Sequence, residues 1–300
     1  MASTTLFALN GVLAMMMFGI ALSLKAADFK RVIQQPKGPL IGLAAQFLVL
    51  PFGTFMAISV IPMPAEIALG LLLVSCCPGG SFSNIMTFLA NGNTAMSVSM
   101  TGIASLLASL LTPLNFMFYA SLNSHTDALL QEIAVSTWDM LTIVFLVLAI
   151  PLALGLVTAH KLPNFARRSE GFFRIVSLAA LFAFVAIALV INWAQFIAGA
   201  SLFVLAVVAH NAIALAIGWS AARAVGMAAA ERRAISLEVG LQNSGLGLGI
   251  IFTYFADLSG MAIIAAAWGI WHLVSGLGLT LFWHYWDRNH GVGQTQGAKS

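Results

Sequence analysis

Nine apolar runs, each near or above the roughly 20 residues that a helix needs to cross about 30 Å of hydrocarbon, follow one another along the chain. They cover residues 4–24, 38–61, 64–90, 94–121, 130–159, 171–192, 196–224, 229–255 and 261–286, and the polar positions between them form short connections with no room for a soluble domain. This pattern predicts an all-α polytopic membrane protein with about nine transmembrane helices in a single domain spanning residues 1–300. Nothing basic precedes the first run and no small-residue cleavage site ends it, so it is read as a retained helix and not a signal peptide.

Composition strengthens this reading: 60% hydrophobic and 8% charged residues do not describe a water-soluble globule. The net charge of +3 is spread over short clusters and makes no basic face, which excludes a nucleic-acid partner. The placement of charge is more informative. All 13 Lys and Arg residues fall in or around the connections after the first, fifth and seventh runs or in the tail, among them Lys25, Lys30, Arg31, Lys37, Arg167, Arg168, Arg174, Arg232, Arg233, Arg288 and Lys299. Basic residues concentrate in cytoplasmic loops, so the N-terminus is expected outside and the C-terminus inside a cell (inner) membrane, with residues 288–300 a cytoplasmic tail.

Two runs carry unlike chemistry. The third contains SCCPGGSFSN, where Pro78, Gly79 and Gly80 interrupt a membrane-length helix. The eighth contains SLEVGLQNSGLGLG, with Glu238, Gln242 and Asn243 among Gly240 and three further glycines. Broken backbone at membrane depth is tolerated only where protein buries it or a watery cavity bathes it, so both breaks predict a site. The two lie five runs apart and therefore run in opposite directions, the arrangement expected of an inverted-repeat transporter. Under the same shift, Gln46 in AAQF corresponds to His210 and Asn211 in VAHN. The repeats are expected at 1–122 and 126–287, the first lacking one helix.

CCPGGSFSN followed by GNTAMSVSMT, and LEVGLQNSG followed by WHLVSG, closely resemble the motifs of the bile acid:sodium symporter family. The resemblance spans nearly the whole chain and implies ten helices in two inverted repeats, divided into core and panel domains, here without the first helix. It implies symport of sodium with an organic anion, either a bile acid or a smaller carboxylate such as a pantoate-like or keto acid. One sodium site would use Ser83, Asn84, Ser97, Thr101 and Glu238; a second would use Gln46, Glu238, Gln242 and carbonyls around Val239 and Leu241. Ser81 and Asn243 would contact the anion. A hard monovalent cation suits this set of neutral oxygens with one carboxylate, and Ser97 and Thr101, at i and i+4, share a helix face. The implied partners are sodium, the anion and the lipid bilayer, with sodium as the coupling ion, no cofactor and no other metal.

Plainer readings stand beside these. Glu238 lies five residues after Arg233, a rise of about 8 Å, and is equally readable as an interfacial carboxylate paired with that arginine. Ser97, Thr101 and Gln46 are readable as interhelical hydrogen-bonding residues, as are His210 and His272. Trp138 and Asp139 fit an outer interfacial belt, and Trp283, Tyr285 and Trp286 an inner one. Cys76 and Cys77 are first small apolar residues, although a proton-coupled or metalloid-extruding carrier on a related fold would use them, and a non-transporting membrane receptor would keep the site without alternating. No catalytic triad, P-loop or dinucleotide fingerprint occurs, so the chain is not expected to be an enzyme.

Overall fold

The computed structural model describes residues 3–24, 26–133 and 137–290. Lys25, Lys299 and the tail beyond His290 lie outside the described residues, as do the side chains of Asp139 and Arg174.

The described residues are almost entirely helical. In order the helices are α1 (Ser3–Ser23), α2 (Ala26–Gln34), α3 (Lys37–Ala44), a π-helical segment Ala45–Val49, α4 (Leu50–Val60), α5 (Ala65–Cys76), α6 (Ser81–Leu89), α7 (Thr94–Leu122), α8 (Ser124–Ile133), α9 (Thr137–Lys161), α10 (Pro163–Ile191), α11 (Trp193–Ala198), α12 (Ala200–Ala224), α13 (Ala229–Gly240), α14 (Ser244–Tyr254) and α15 (Ser259–His290). Among the described residues six stretches are long and apolar enough to cross a membrane: Lys37–Val60, Thr94–Leu122, Val144–Lys161, Pro163–Ile191, Ala200–Ala224 and Ser259–His290. Helix α1 and the half-helix pairs α5/α6 and α13/α14 complete the nine expected runs.

Three differences from the sequence pattern have local causes. The connection after the first run is not a loop but the amphipathic helix α2, which buries Asp28 and leaves Lys30 and Ile33 exposed. The first described residues of the fifth run belong to α8 and those from Thr137 onward to α9, and the seventh run is divided at Gly199. Trp283 is not in a lipid-facing belt: it is buried, stacked on Trp219 with ring centroids 5.7 Å apart, whereas Tyr285 and Trp286 are exposed.

Helix α1 lies chiefly against α9 and α10, while α12 lies against α13 and α5 against α15 and α7. The α12/α13 contact is close because Gly218 has no side chain: a Cβ there would stand 2.7 Å from the Ile235 carbonyl oxygen. The largest fully buried side chains include Trp268, Phe116, Phe255, Leu69, Leu72 and Leu73, so the interior is densest around α5, α7 and α15.

The π-helical segment has a readable origin. Pro51 has no N–H to give the Phe47 carbonyl one turn earlier, and the Asn115 side-chain amide donates to that oxygen instead at 2.7 Å. The Leu50 N–H reaches back to Ala45, a π-type step that widens the helix at Gln46.

Candidate functional site

Both expected breaks are present, and they meet. Helix α5 ends at Cys76 because Pro78 cannot continue the ladder, and its last turn tightens so that the Cys77 N–H donates to Val74 at 3.1 Å. Helix α13 ends at Gly240. The strands of chain between the half-helices pair antiparallel, Gly79 against Gln242. The Gly80 N–H donates to the Leu241 carbonyl at 2.8 Å and the Asn243 N–H to the Pro78 carbonyl at 2.8 Å. Each break thus satisfies backbone groups that the other exposes, as burial demands. Gly79 is fixed by this approach, since a Cβ would collide with the Glu238 carboxylate and sit 2.9 Å from the Glu238 carbonyl oxygen.

Carbonyls freed at the half-helix ends are capped by neighbouring side chains in a matched way. Gln46 donates to the Cys77 carbonyl at 2.7 Å, and Asn211 donates to the Gly240 carbonyl at 2.7 Å. These are the two polar positions that correspond under the five-run shift. Thr112 donates to the Cys76 carbonyl at 2.8 Å.

Around Glu238 the side chains from three elements converge. Its carboxylate is 1% exposed and accepts from Ser83 at 2.6 Å, from Thr101 at 2.8 and 2.9 Å, and from Ser97 at 3.5 Å. The Asn84 side-chain oxygen joins them, accepting from Ser97 at 2.7 Å and Thr101 at 3.1 Å. Arg233 does not pair with Glu238. Its guanidinium is buried against Asp287, at 2.7 and 2.5 Å, and donates to the Ala90 carbonyl at 2.8 Å. Among the described residues the Glu238 carboxylate therefore has hydroxyl partners and no cationic one. A buried carboxylate without a cation costs several kcal/mol, and the neutral oxygens gathered around it are those a hard cation would take as ligands.

One turn further on, Gln242 and Gln46 exchange hydrogen bonds at 2.9 and 3.2 Å, and Gln242 donates to the Val239 carbonyl at 2.6 Å. The Leu241 carbonyl is engaged with Gly80. Ser81 is exposed at the start of α6, whose N-cap Gly80 offers no side-chain cap. Asn243 caps α14 by accepting from the Leu246 N–H at 3.1 Å, and its amide nitrogen has no partner among the described residues. Every residue expected at the site lies at or beside the crossing.

Three participants escaped sequence reasoning. Thr112 and Asn115 are ordinary polar positions on α7, recognisable only once α7 is known to pass behind the breaks. The Arg233–Asp287–Ala90 clamp joins residues far apart in sequence, and a lone acid near the chain end gave no sign of its partner. His210 was expected to bond between helices and does, to Thr54 at 2.8 Å and to the Trp268 indole N–H at 3.0 Å. The thiols of Cys76 and Cys77 are free and fully buried.

A chain of apolar, membrane-length helices folded around two broken helices that cross is an all-α, multi-pass membrane transporter. Residues 11–199 match the model of the sodium bile acid symporter family, and the chain belongs to that family of sodium-dependent transporters. Among its relatives, the uncharacterized sodium-dependent transporter YocS of Bacillus subtilis is 34% identical over 90% of this chain and 81% of its own length. The probable chloroplastic sodium/metabolite cotransporter BASS1 of rice is 29% identical over 89% of this chain and 63% of its own. The human ileal sodium/bile acid cotransporter is 27% identical over 78% and 66% respectively.

Proposed function

We propose that this chain is a symporter that couples sodium entry to import of an organic anion by alternating access. The observation that carries the reading is Glu238, buried without a cation and ringed by Ser83, Ser97, Thr101 and Asn84 oxygens. Sodium at this first site would be held by those five residues. A second sodium would use Gln46, Gln242, Glu238 and the Val239 and Leu241 carbonyls, taking over oxygens that now serve the crossing. The uncapped start of α6 at Ser81 and the free amide of Asn243 would receive a carboxylate or sulfonate, since a helix N-terminus favours negative charge. The names of the relatives, sodium/metabolite and sodium/bile acid cotransporters, agree with this substrate class.

The N-terminus would lie outside and the C-terminus in the cytoplasm, with the α1, α9 and α10 group as the panel against which the crossing core moves. Two sodium ions with one monovalent anion carry a net positive charge inward, gaining about 2.3 kcal/mol per 100 mV of negative-inside potential. Uptake of radiolabelled organic anions into proteoliposomes, with and without an inward sodium gradient, tests the reading. Accumulation that requires sodium and rises with a negative-inside potential is expected; uptake indifferent to sodium overturns it.

A further inference from the structure

A cavity of about 390 Å³ opens at the basic end of the molecule between α2, the start of α3, the first two turns of α7, the turn joining α12 to α13 and the start of α13. Its wall is half polar and half apolar, and hydrogen-bond donors outnumber carboxylates in the polar half. Arg31 uses one guanidinium nitrogen, donating to Asp28 at 3.3 Å and the Ala95 carbonyl at 3.2 Å, and its other nitrogens carry no bond among the described residues. Lys37 spends one of three protons, on the Val225 carbonyl at 2.8 Å. Among the described residues the side-chain amide nitrogen of Asn93 has no partner; its oxygen caps α7 by accepting from the Met96 N–H at 3.1 Å. The backbone N–H groups of Lys37 and Gly38, at the start of α3, are also without partners among the described residues. Against these the wall sets one carboxylate of its own, Glu231, with one oxygen on the Ala228 N–H at 3.0 Å and the other without a partner among the described residues, while Asp28 stands behind the wall, paired with Arg31 at 3.3 Å.

An oxyanion fits the donors, and a cation fits the remaining Glu231 oxygen. Because Asp28 and Glu231 offset Arg31 and Lys37, the wall favours a ligand carrying both charges over a simple anion. Apolar side chains are exposed on the same two elements, Ile33 on α2 at 80% and Leu40 on α3 at 60%. We infer that the cavity binds the headgroup of an aminophospholipid, its phosphate on Arg31, Lys37 and Asn93, its primary ammonium on Glu231, and its acyl chains along the apolar face. The three helices rooted here continue into Gln46 through α3, Ser97 through α7 and Glu238 through α13. A bound headgroup therefore braces the bases of the elements that carry the crossing, and binding is independent of whether sodium is transported.

Thermal unfolding of the purified full chain in detergent, titrated with short-chain phosphatidylethanolamine, phosphatidylglycerol or phosphatidylcholine of equal chain length, tests this. Wild type is expected to be stabilised by phosphatidylethanolamine with about fivefold preference over phosphatidylglycerol, the worth of one partly exposed ion pair. Arg31→Gln with Lys37→Gln should weaken that binding about tenfold. Glu231→Gln, which keeps an oxygen to cap α13, should erase the preference over phosphatidylglycerol while leaving phosphate binding. Lys37→Gln alone, at an exposed position, serves if the double variant does not fold. Arg167→Gln with Arg168→Gln, on exposed basic residues of α10, should change nothing. The inference is overturned by no stabilisation, by equal response to the two lipids, by binding indifferent to Lys37, or by equal loss in the α10 variant.

Discussion

Replacing Glu238 with glutamine separates a sodium ligand from a structural carboxylate. The substitution removes the charge but keeps the shape, so Ser83 and Thr101 retain one oxygen to donate to where they now have two at 2.6 to 2.9 Å. At an effective dielectric of about 20, a unit charge pair 4 Å apart is worth about 4 kcal/mol, and a ligated ion sits closer. Allowing for the desolvation that partly offsets this attraction, a loss of about 3 kcal/mol raises the sodium concentration for half-saturation by more than a hundredfold. The assay is the unfolding temperature of purified protein titrated with sodium against potassium at constant ionic strength. Wild type at 100 times its dissociation constant gains about 2.7 kcal/mol, and the variant gains almost none. In potassium alone the order reverses: the variant, freed of a buried charge without a cation, is at least as stable as wild type. A variant that keeps its sodium response to within threefold, or that is destabilised in potassium by several kcal/mol, refutes the reasoning.

Other substitutions probe the surroundings. Gly79→Ala drives a methyl group into the Glu238 carboxylate and carbonyl, so sodium-dependent uptake should be lost while membrane insertion, followed by fluorescence-detected size exclusion, persists. Cys76→Ala with Cys77→Ala removes two buried sulfurs at about 1 kcal/mol each, seen as a lower unfolding temperature, and should leave sodium-driven uptake within twofold of wild type; abolished uptake would favour thiol-based transport. Arg233→Gln strands Asp287 and the Ala90 carbonyl and should cost about 3 kcal/mol, with Asp287→Asn in the same chain recovering much of the loss in thermal unfolding.

Much of the fold and most of the crossing were legible because membrane burial leaves few ways to read a polar residue. Pro78 and Gly240 marked the breaks, since backbone opened at depth must find partners, and the five-run shift indicated which break meets which. That shift also matched Gln46 to the 210–211 pair, and Gln46 and Asn211 do cap equivalent carbonyls. The two rival readings of Glu238 could not be separated in one dimension: a helix rise of about 8 Å is compatible with an arginine contact, and only Asp287, brought in from the end of α15, decides where Arg233 points. Helix α2 was missed because its apolar positions are too few to read as a membrane run, and its charges look like a loop until packing on α7 gives them a face.

The same contacts explain why such a site would couple an ion to an anion. The first-site oxygens come from α6, α7 and α13, and α6 and α13 are the half-helices that flank the crossing. Ser81 opens α6 and Asn243 opens α14, each directly beyond a hydrogen-bonded break, so the anion groups cannot be placed without the geometry that surrounds Glu238. An ion that draws those oxygens together lowers the cost of ordering the anion site, and by linkage the bound anion tightens the ion to the same degree. Conversely, the Arg233 clamp holds the far ends of α6 and α13 through Ala90 and needs no ion. Under the proposed coupling, sodium would act at the crossing end of the half-helices only, and the expected signature is that Arg233→Gln lowers stability but leaves the sodium and anion affinities coupled, as Cys76→Ala does.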